Sequence, residues 1–245
     1  MSPRATATAA GARPGVRELA AQTTREAILR AATHVFAQHG FAGGRVEQIS
    51  KAAKSHDRMI YYYFGSKEGL FVAVLEDMYR RFNEAESTLQ LDPRAPLQAL
   101  QAVARFMWRY YQHHPEFITL LNTENLHHGK HIARSTRARE YSSPALGVLR
   151  QVLEHGVAQG LFREEVSARD VYLMIASMGY FYWSNRYTLS AFLGEELGAP
   201  AAVDHWESFL TDSVVRTVMR GAAPAAPVLA HPAIPTAATR PRPLE

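Results

Sequence analysis

Residues 46–71 read VEQISKAAKSHDRMIYYYFGSKEGLF, and this stretch decides the fold. Val46, Ile49 and Ala53 recur at helical spacing, which predicts a short helix over about 45–53, and a second fits about 56–62. Ser66 then stands as the cap of a longer helix, SKEGLFVAVLEDMYRRF, with Leu70, Phe71, Val74, Leu75 and Met78 along one stripe. Helices as short as the first two are not stable alone, so Ile60 and Phe64 are expected to lock them to their neighbours. Two short helices joined by a turn and packed on a longer preceding helix form a helix-turn-helix, which lays its second helix in the DNA major groove.

Upstream, Thr23 with Glu26 has the capping-box pattern, and Ile28, Ala31, Ala32, Val35 and Phe36 share a face. Gly40 stands where a helix ends in a left-handed residue, so a helix is predicted over about 24–39. Downstream the same signals predict helices over about 96–113, 116–125, 144–159 (ended by Gly160), 168–189 (started by Ser167 and Asp170) and 202–219 (ended by Gly221). Strand-like alternation is nearly absent. The expected fold class is all-α, about nine helices, with a helix-turn-helix domain over 21–67 and a helical domain over 68–221. Residues 1–20 and the Ala/Pro-rich residues 222–245 read as disordered tails. Arg4, Arg13 and Arg17 of the first tail could still touch a DNA partner.

The 245 residues contain no cysteine, which excludes disulfides, thiol catalysis and Cys-based metal sites. No apolar run is long enough for a membrane span or a secretory signal, so a cytoplasmic location is expected. Charge is uneven: residues 1–67 hold ten Lys/Arg against four Asp/Glu, and residues 68–245 hold 17 against 19. A basic end on a near-neutral body points to a polyanionic partner for the first part alone.

Gly40-Phe41, Val46, Ile49, Ala52-Ala53, Ile60-Tyr61-Tyr62-Tyr63-Phe64 and Ser66-Lys67-Glu68 together resemble the DNA-binding domain of the TetR/AcrR family over about 24–80. The resemblance implies phosphate contacts from Tyr62 and Lys67, and base-edge contacts from His56, Asp57, Arg58 and Met59. Arg58 suits guanine O6 and N7 and is the preferred base reader. Lys54 and Ser55 lie in the turn, Lys54 where the family commonly has glycine, which demands an adjusted backbone. Gly44 stands where a capping Thr is common. Asp57 is expected to cap the helix or orient Arg58 rather than to read a base. Three successive residues on a helix point three ways, so Tyr62 is expected outward and Tyr61 and Tyr63 in packing or at the domain junction. Arg45 and Lys51 are either phosphate contacts or ordinary solvated charges.

For residues 68–221 the resemblance implies a ligand-binding and dimerisation domain. Helices 168–189 and 202–219 are apolar on several sides, as a homodimer interface would require, and a dimer suits a palindromic operator. Phe106, Trp108, Tyr111, Phe117, Leu121, Met174, Met178 and Tyr182 are expected around a pocket for a small-molecule effector of unknown identity. Asn122, Asn125, His128 or Gln112 would orient that ligand, although for any single aromatic core packing is the better explanation. His113, His114, His127, His128 and His131 raise the question of a metal. Adjacent helical histidines diverge by about 100°, so they are read as solvated or helix-end residues, and no metal or cofactor is implied. No GxSxG, HExxH, P-loop or dinucleotide-binding pattern occurs, which disfavours an enzyme. The alternatives are a ligand-independent architectural DNA-binding protein and, more remotely, an all-helical enzyme.

Overall fold

The first helix, α1 (Val16–Gly43), starts well before the signal at Thr23. In this computed structural model, which describes residues 15–92, 94–137 and 144–221, Gly15 is the cap and its N–H donates to Glu18 Oε2 at 3.0 Å. Thr23 and Thr24 lie inside the helix, their hydroxyls donating to the carbonyls of Leu19 and Ala20 at 2.8 and 2.9 Å. A threonine that bonds four residues back no longer needs to cap, and Ala20 and Ala21 favour helix. Residues 16–20, expected as tail, are therefore helical. Arg17 sits exposed on them, while Arg4, Arg13 and residues 222–245 lie outside the described residues.

Gly40 kinks the end of α1 with φ 65° and ψ 179°, a conformation open essentially to glycine alone. The helix-turn-helix follows as α2 (Val46–Ala52) and α3 (Asp57–Phe64), and Gly65 at φ 75° turns the chain into α4 (Lys67–Ser87). The C-terminal part holds α5 (Pro96–His113), α6 (Pro115–Leu126), a 3-10 turn at Ile132–Arg134, α7 (Pro144–Ala158), α8 (Ala168–Leu193) and α9 (Pro200–Val218). Proline opens α5, α6 and α9, where its missing N–H costs nothing. Ser167 caps α8 by accepting from Asp170 N at 3.1 Å. That helix runs a turn past its expected end, to a left-handed Gly194.

Ile28, Phe36, Ile49 and Ile60 are buried together with Leu70, Phe71, Val74 and Leu75 of α4, so the helix-turn-helix is clamped on α1 and α4. The core continues into α5, which lies against α7, α8 and α9 through Leu100, Val103, Met107 and Trp108. An antiparallel bridge joins Phe162 to Met219, with Arg163 N donating to Val218 O and Arg220 N to Leu161 O, both at 2.8 Å. No helix among the described residues is long and apolar enough to cross a membrane.

Candidate nucleic-acid interface

Lys54 adopts the left-handed conformation, φ 51°, that its place in the turn demands. A lysine there costs about 1 kcal/mol or more relative to glycine. The turn is held by a bond that the sequence does not announce: Ser50, buried on α2, donates its hydroxyl to Asp57 Oδ1 on the first turn of α3. Asp57 was expected to cap α3 or to orient Arg58. Its carboxylate instead accepts from Ser50 and staples α2 to α3, while still placing negative charge at a helix N-terminus where it is favoured. Lys51, Lys54, His56 and Arg58 remain exposed, and Arg58 has no hydrogen-bond or ion-pair partner among the described residues. Ser50, Lys51, Ser55, His56, Asp57 and Arg58 line a shallow depression on this face. Met59 is half-buried and packs on the core.

Tyr62 is 77% exposed, and Tyr61, expected in packing or at the domain junction, is 52% exposed. Of the three tyrosines only Tyr63 packs on the core, edge-on to Tyr62 at 5.1 Å. Tyr61 is free because Ile60, Tyr63 and Phe64 face the core, and Phe64 also carries the Arg25 guanidinium at 4.9 Å. Lys67 opens α4 beside the cap, where Ser66 Oγ accepts from Gly69 N at 3.0 Å. Its ammonium lies 4.9 Å from the Phe41 ring centroid and donates to Ala42 O at 3.3 Å. Exposed Arg45 precedes α2, its N–H donating to Gln48 Oε1 at 3.1 Å. The absence of threonine at Gly44 has a steric cause: a Cβ there would lie 2.6 and 2.8 Å from two carbons of the Phe36 ring.

In the C-terminal domain the expected pocket residues divide. Asn122 Oδ1 accepts from the Tyr180 hydroxyl and from Ser184 Oγ, the latter at 3.1 Å. Tyr111 of α5 is buried at 5% exposure. Burial first, then Tyr172, Tyr79, Glu86 and Tyr180, push its phenol well above the usual range, so it stays a protonated donor. Phe117 stacks on Tyr111 at 5.7 Å, and Leu121, Met174 and Met178 are half-buried against the same core. Phe106 packs on Phe82 and Tyr110. Trp108 and Tyr182 are committed elsewhere, in an aromatic cluster with Trp183 and Trp206, and the Tyr182 hydroxyl donates to Leu197 O at 2.7 Å. Asn125 and His128 face solvent at the end of α6, because the chain turns outward there through a left-handed His128.

His131, expected at the surface, is 0% exposed. Its Nδ1 lies 2.7 Å from Glu124 Oε2, and Glu124 Oε1 accepts from the backbone N–H groups of His131 and Ile132 at 2.8 and 2.9 Å. The imidazole ring is 4.5 Å from Phe41 and 5.0 Å from Phe71. Among the described residues no three His or acidic side chains group to hold a metal ion.

On α8 and α9 the described chain leaves Leu173, Phe181, Tyr187, Phe192, Leu193 and Phe209 exposed. A helix-turn-helix clamped on a long connecting helix, with an all-helical body behind it, is the construction of a one-component DNA-binding regulator. Residues 28–74 match the family described as bacterial regulatory proteins, tetR family, and residues 96–214 match the tetracyclin repressor-like C-terminal domain. The chain is 53% identical over 206 residues to the HTH-type transcriptional repressor NicS of Pseudomonas putida, covering 84% of this chain and 97% of that protein. It is 25% identical over 158 residues to the repressor SCO4008 of Streptomyces coelicolor, covering 64% and 77%. The crystal structure of SCO4942 from the same organism superposes with a TM-score of 0.61 at 25% identity, over 80% of this chain and 98% of that one. The chain belongs to the TetR family, and it is a DNA-binding transcriptional regulator.

Proposed function

We propose that the protein is a cytoplasmic repressor that binds a palindromic operator as a homodimer and is released by a small-molecule effector. The observation that carries the reading is the face built by the Ser50–Asp57 staple, where Arg58 and Tyr62 stand exposed beside Lys54 and His56. An unpartnered guanidinium on α3 suits a guanine edge, whereas Tyr62, Lys67 and Arg45 suit the flanking phosphates. The exposed aromatic residues of α8 and α9 support dimerisation, since an apolar patch left open on a monomer favours pairing. The part of the body around Asn122, which takes the Tyr180 and Ser184 hydroxyls, is where the effector binds. Reciprocity then requires the effector to bind free protein better than operator-bound protein.

The testing experiment selects bound fragments from random duplex DNA and titrates the winner with salt. An enriched inverted repeat bound by a dimer supports the reading; salt-sensitive binding without enrichment would favour an architectural role instead. On the selected operator Arg58→Ala should cost about 1–3 kcal/mol, with little loss on random DNA. Equal losses on both would remove Arg58 as the base reader.

A further inference from the structure

We propose that His131, aimed by Glu124, is the positioning residue for the Lys67 ammonium, so that the end of α6 sets a phosphate contact of the DNA-binding domain. The inference rests on the reading of Lys67 as a phosphate contact. It begins at Glu124, buried on the last turn of α6, whose two carboxylate oxygens take three N–H groups of the following turn: His131 N, Ile132 N and His131 Nδ1. A buried carboxylate satisfied three times holds that turn rigidly on α6. With Nδ1–H donating to Glu124, the ring is fixed in one tautomer, and Nε2 is left buried without a partner.

The aimed ring meets residues of the DNA-binding domain. Phe41, just past the Gly40 kink, lies 4.5 Å from it, and Phe71 of α4 lies 5.0 Å from it. His127, which caps the C-terminus of α6, adds a second ring, 5.1 Å from His131 and 5.7 Å from Phe41. Phe41 in turn carries the Lys67 ammonium at 4.9 Å, and the same ammonium donates to Ala42 O. The contact series therefore runs Glu124, His131, Phe41, Lys67, from the body of the C-terminal domain to the first residue of α4. A lysine stem loses rotamer freedom when it is fixed, so an ammonium already seated on Phe41 meets a phosphate with much of that ordering done. Glu68, on the first turn of α4, lies within electrostatic reach of both Arg134 and His131.

The test is the salt dependence of operator affinity, measured on the full chain with the duplex obtained from selection. Each phosphate contact adds about 0.9 to the slope of log K against log salt, so Lys67→Ala should lower the slope by about 1.8 for two protomers. His131→Phe, which keeps a buried ring and deletes the Nδ1 donor, is expected to lower it by the same amount, with no further change in the double variant. A merely structural loss would weaken binding at every salt concentration and leave the slope in place. Should His131→Phe fail to fold, Glu124→Gln makes the same measurement with volume preserved and the same slope change expected. A slope lowered by Lys67→Ala but unmoved by the His131 or Glu124 variant overturns the proposal and leaves the phosphate contact standing. A slope unmoved by Lys67→Ala removes the contact, and the proposal with it.

Discussion

Gly44→Ala isolates one steric contact in the DNA-binding domain. Gly44 has φ −70°, so its backbone makes no demand for glycine, and any effect of a methyl group must come from the space around it. The added Cβ would lie 2.6 and 2.8 Å from Phe36 ring carbons and 3.1 Å from Gly40 O, where carbon pairs normally stand about 3.5–4.0 Å apart. The ring would have to retreat by about 1 Å. It cannot do so freely, because Phe36 is fully buried and meets Phe71 edge-on at 5.1 Å. Overpacking of this kind costs about 1–3 kcal/mol, and the stiffer unfolded chain returns about 0.4–1 kcal/mol. The expected net loss of about 1–2 kcal/mol lowers Tm by roughly 2–8 °C in a chain of this size. Thermal melting followed by circular dichroism measures it, and a Phe36→Leu background should shrink the penalty by opening the space. A Gly44→Ala variant that melts with the parent, or above it, would refute the reasoning.

Asp57→Asn keeps an acceptor for Ser50 and removes a negative charge from the DNA face, so it should bind operator at least as well as the parent. Asp57→Ala should lose about 5-fold, and equal affinities for the two would mean that the staple does not position α3. Phe181→Glu puts charge on an exposed α8 residue, so sedimentation should show monomers that circular dichroism still finds helical; a persistent dimer would place the interface elsewhere. Burial first, then Glu116 and Asp77 against Arg81, push the Tyr110 phenol up to about 12. Below about pH 10 folded and unfolded chains both hold that proton, whereas between pH 10 and 12 only the folded chain does. Unfolding free energy should therefore fall there by about 1.4 kcal/mol per pH unit from this group. Tyr110→Phe should flatten that part of a pH series of denaturant melts, and an unchanged slope would contradict the assignment.

The helical architecture was legible because its signals are local. The stripe Leu70, Phe71, Val74, Leu75, Met78 is buried as its spacing requires, and Ser66 and Ser167 cap the helices they precede. What escaped depended on partners distant in sequence or on competing local bonds. Thr23 offers the same hydroxyl to a cap or to the carbonyl of Leu19, and only the helical run of residues 16–22 decides between them. Ser50 resembles any polar helix residue until α3 returns Asp57 to it. His131, in a stretch dense with histidines, has no pattern that separates it from exposed His128. Its burial follows from a turn that folds back onto Phe41 and Phe71, ninety and sixty positions upstream respectively. Trp108 and Tyr111 lie on the same helix and both are buried, but Trp108 meets Tyr182 and Trp183 whereas Tyr111 stacks on Phe117, a division set by helices that lie later in the chain.

The length of α4 sets how small a change in the body can matter at the DNA. Its 21 residues, at about 1.5 Å each, make a rod about 31 Å long that starts beside Ser66 and ends in the C-terminal core. Pivoted at the core end, a tilt of about 5° carries the other end sideways by about 2.7 Å, roughly one hydrogen-bond length. With a second protomer swinging in the opposite sense, the two recognition helices would separate by about twice that, enough to take both out of register with successive major grooves. In the proposed dimer the rod would act as a mechanical amplifier: side-chain rearrangements too small to alter the fold of the body would become displacements that the rigid pitch of B-form DNA cannot follow.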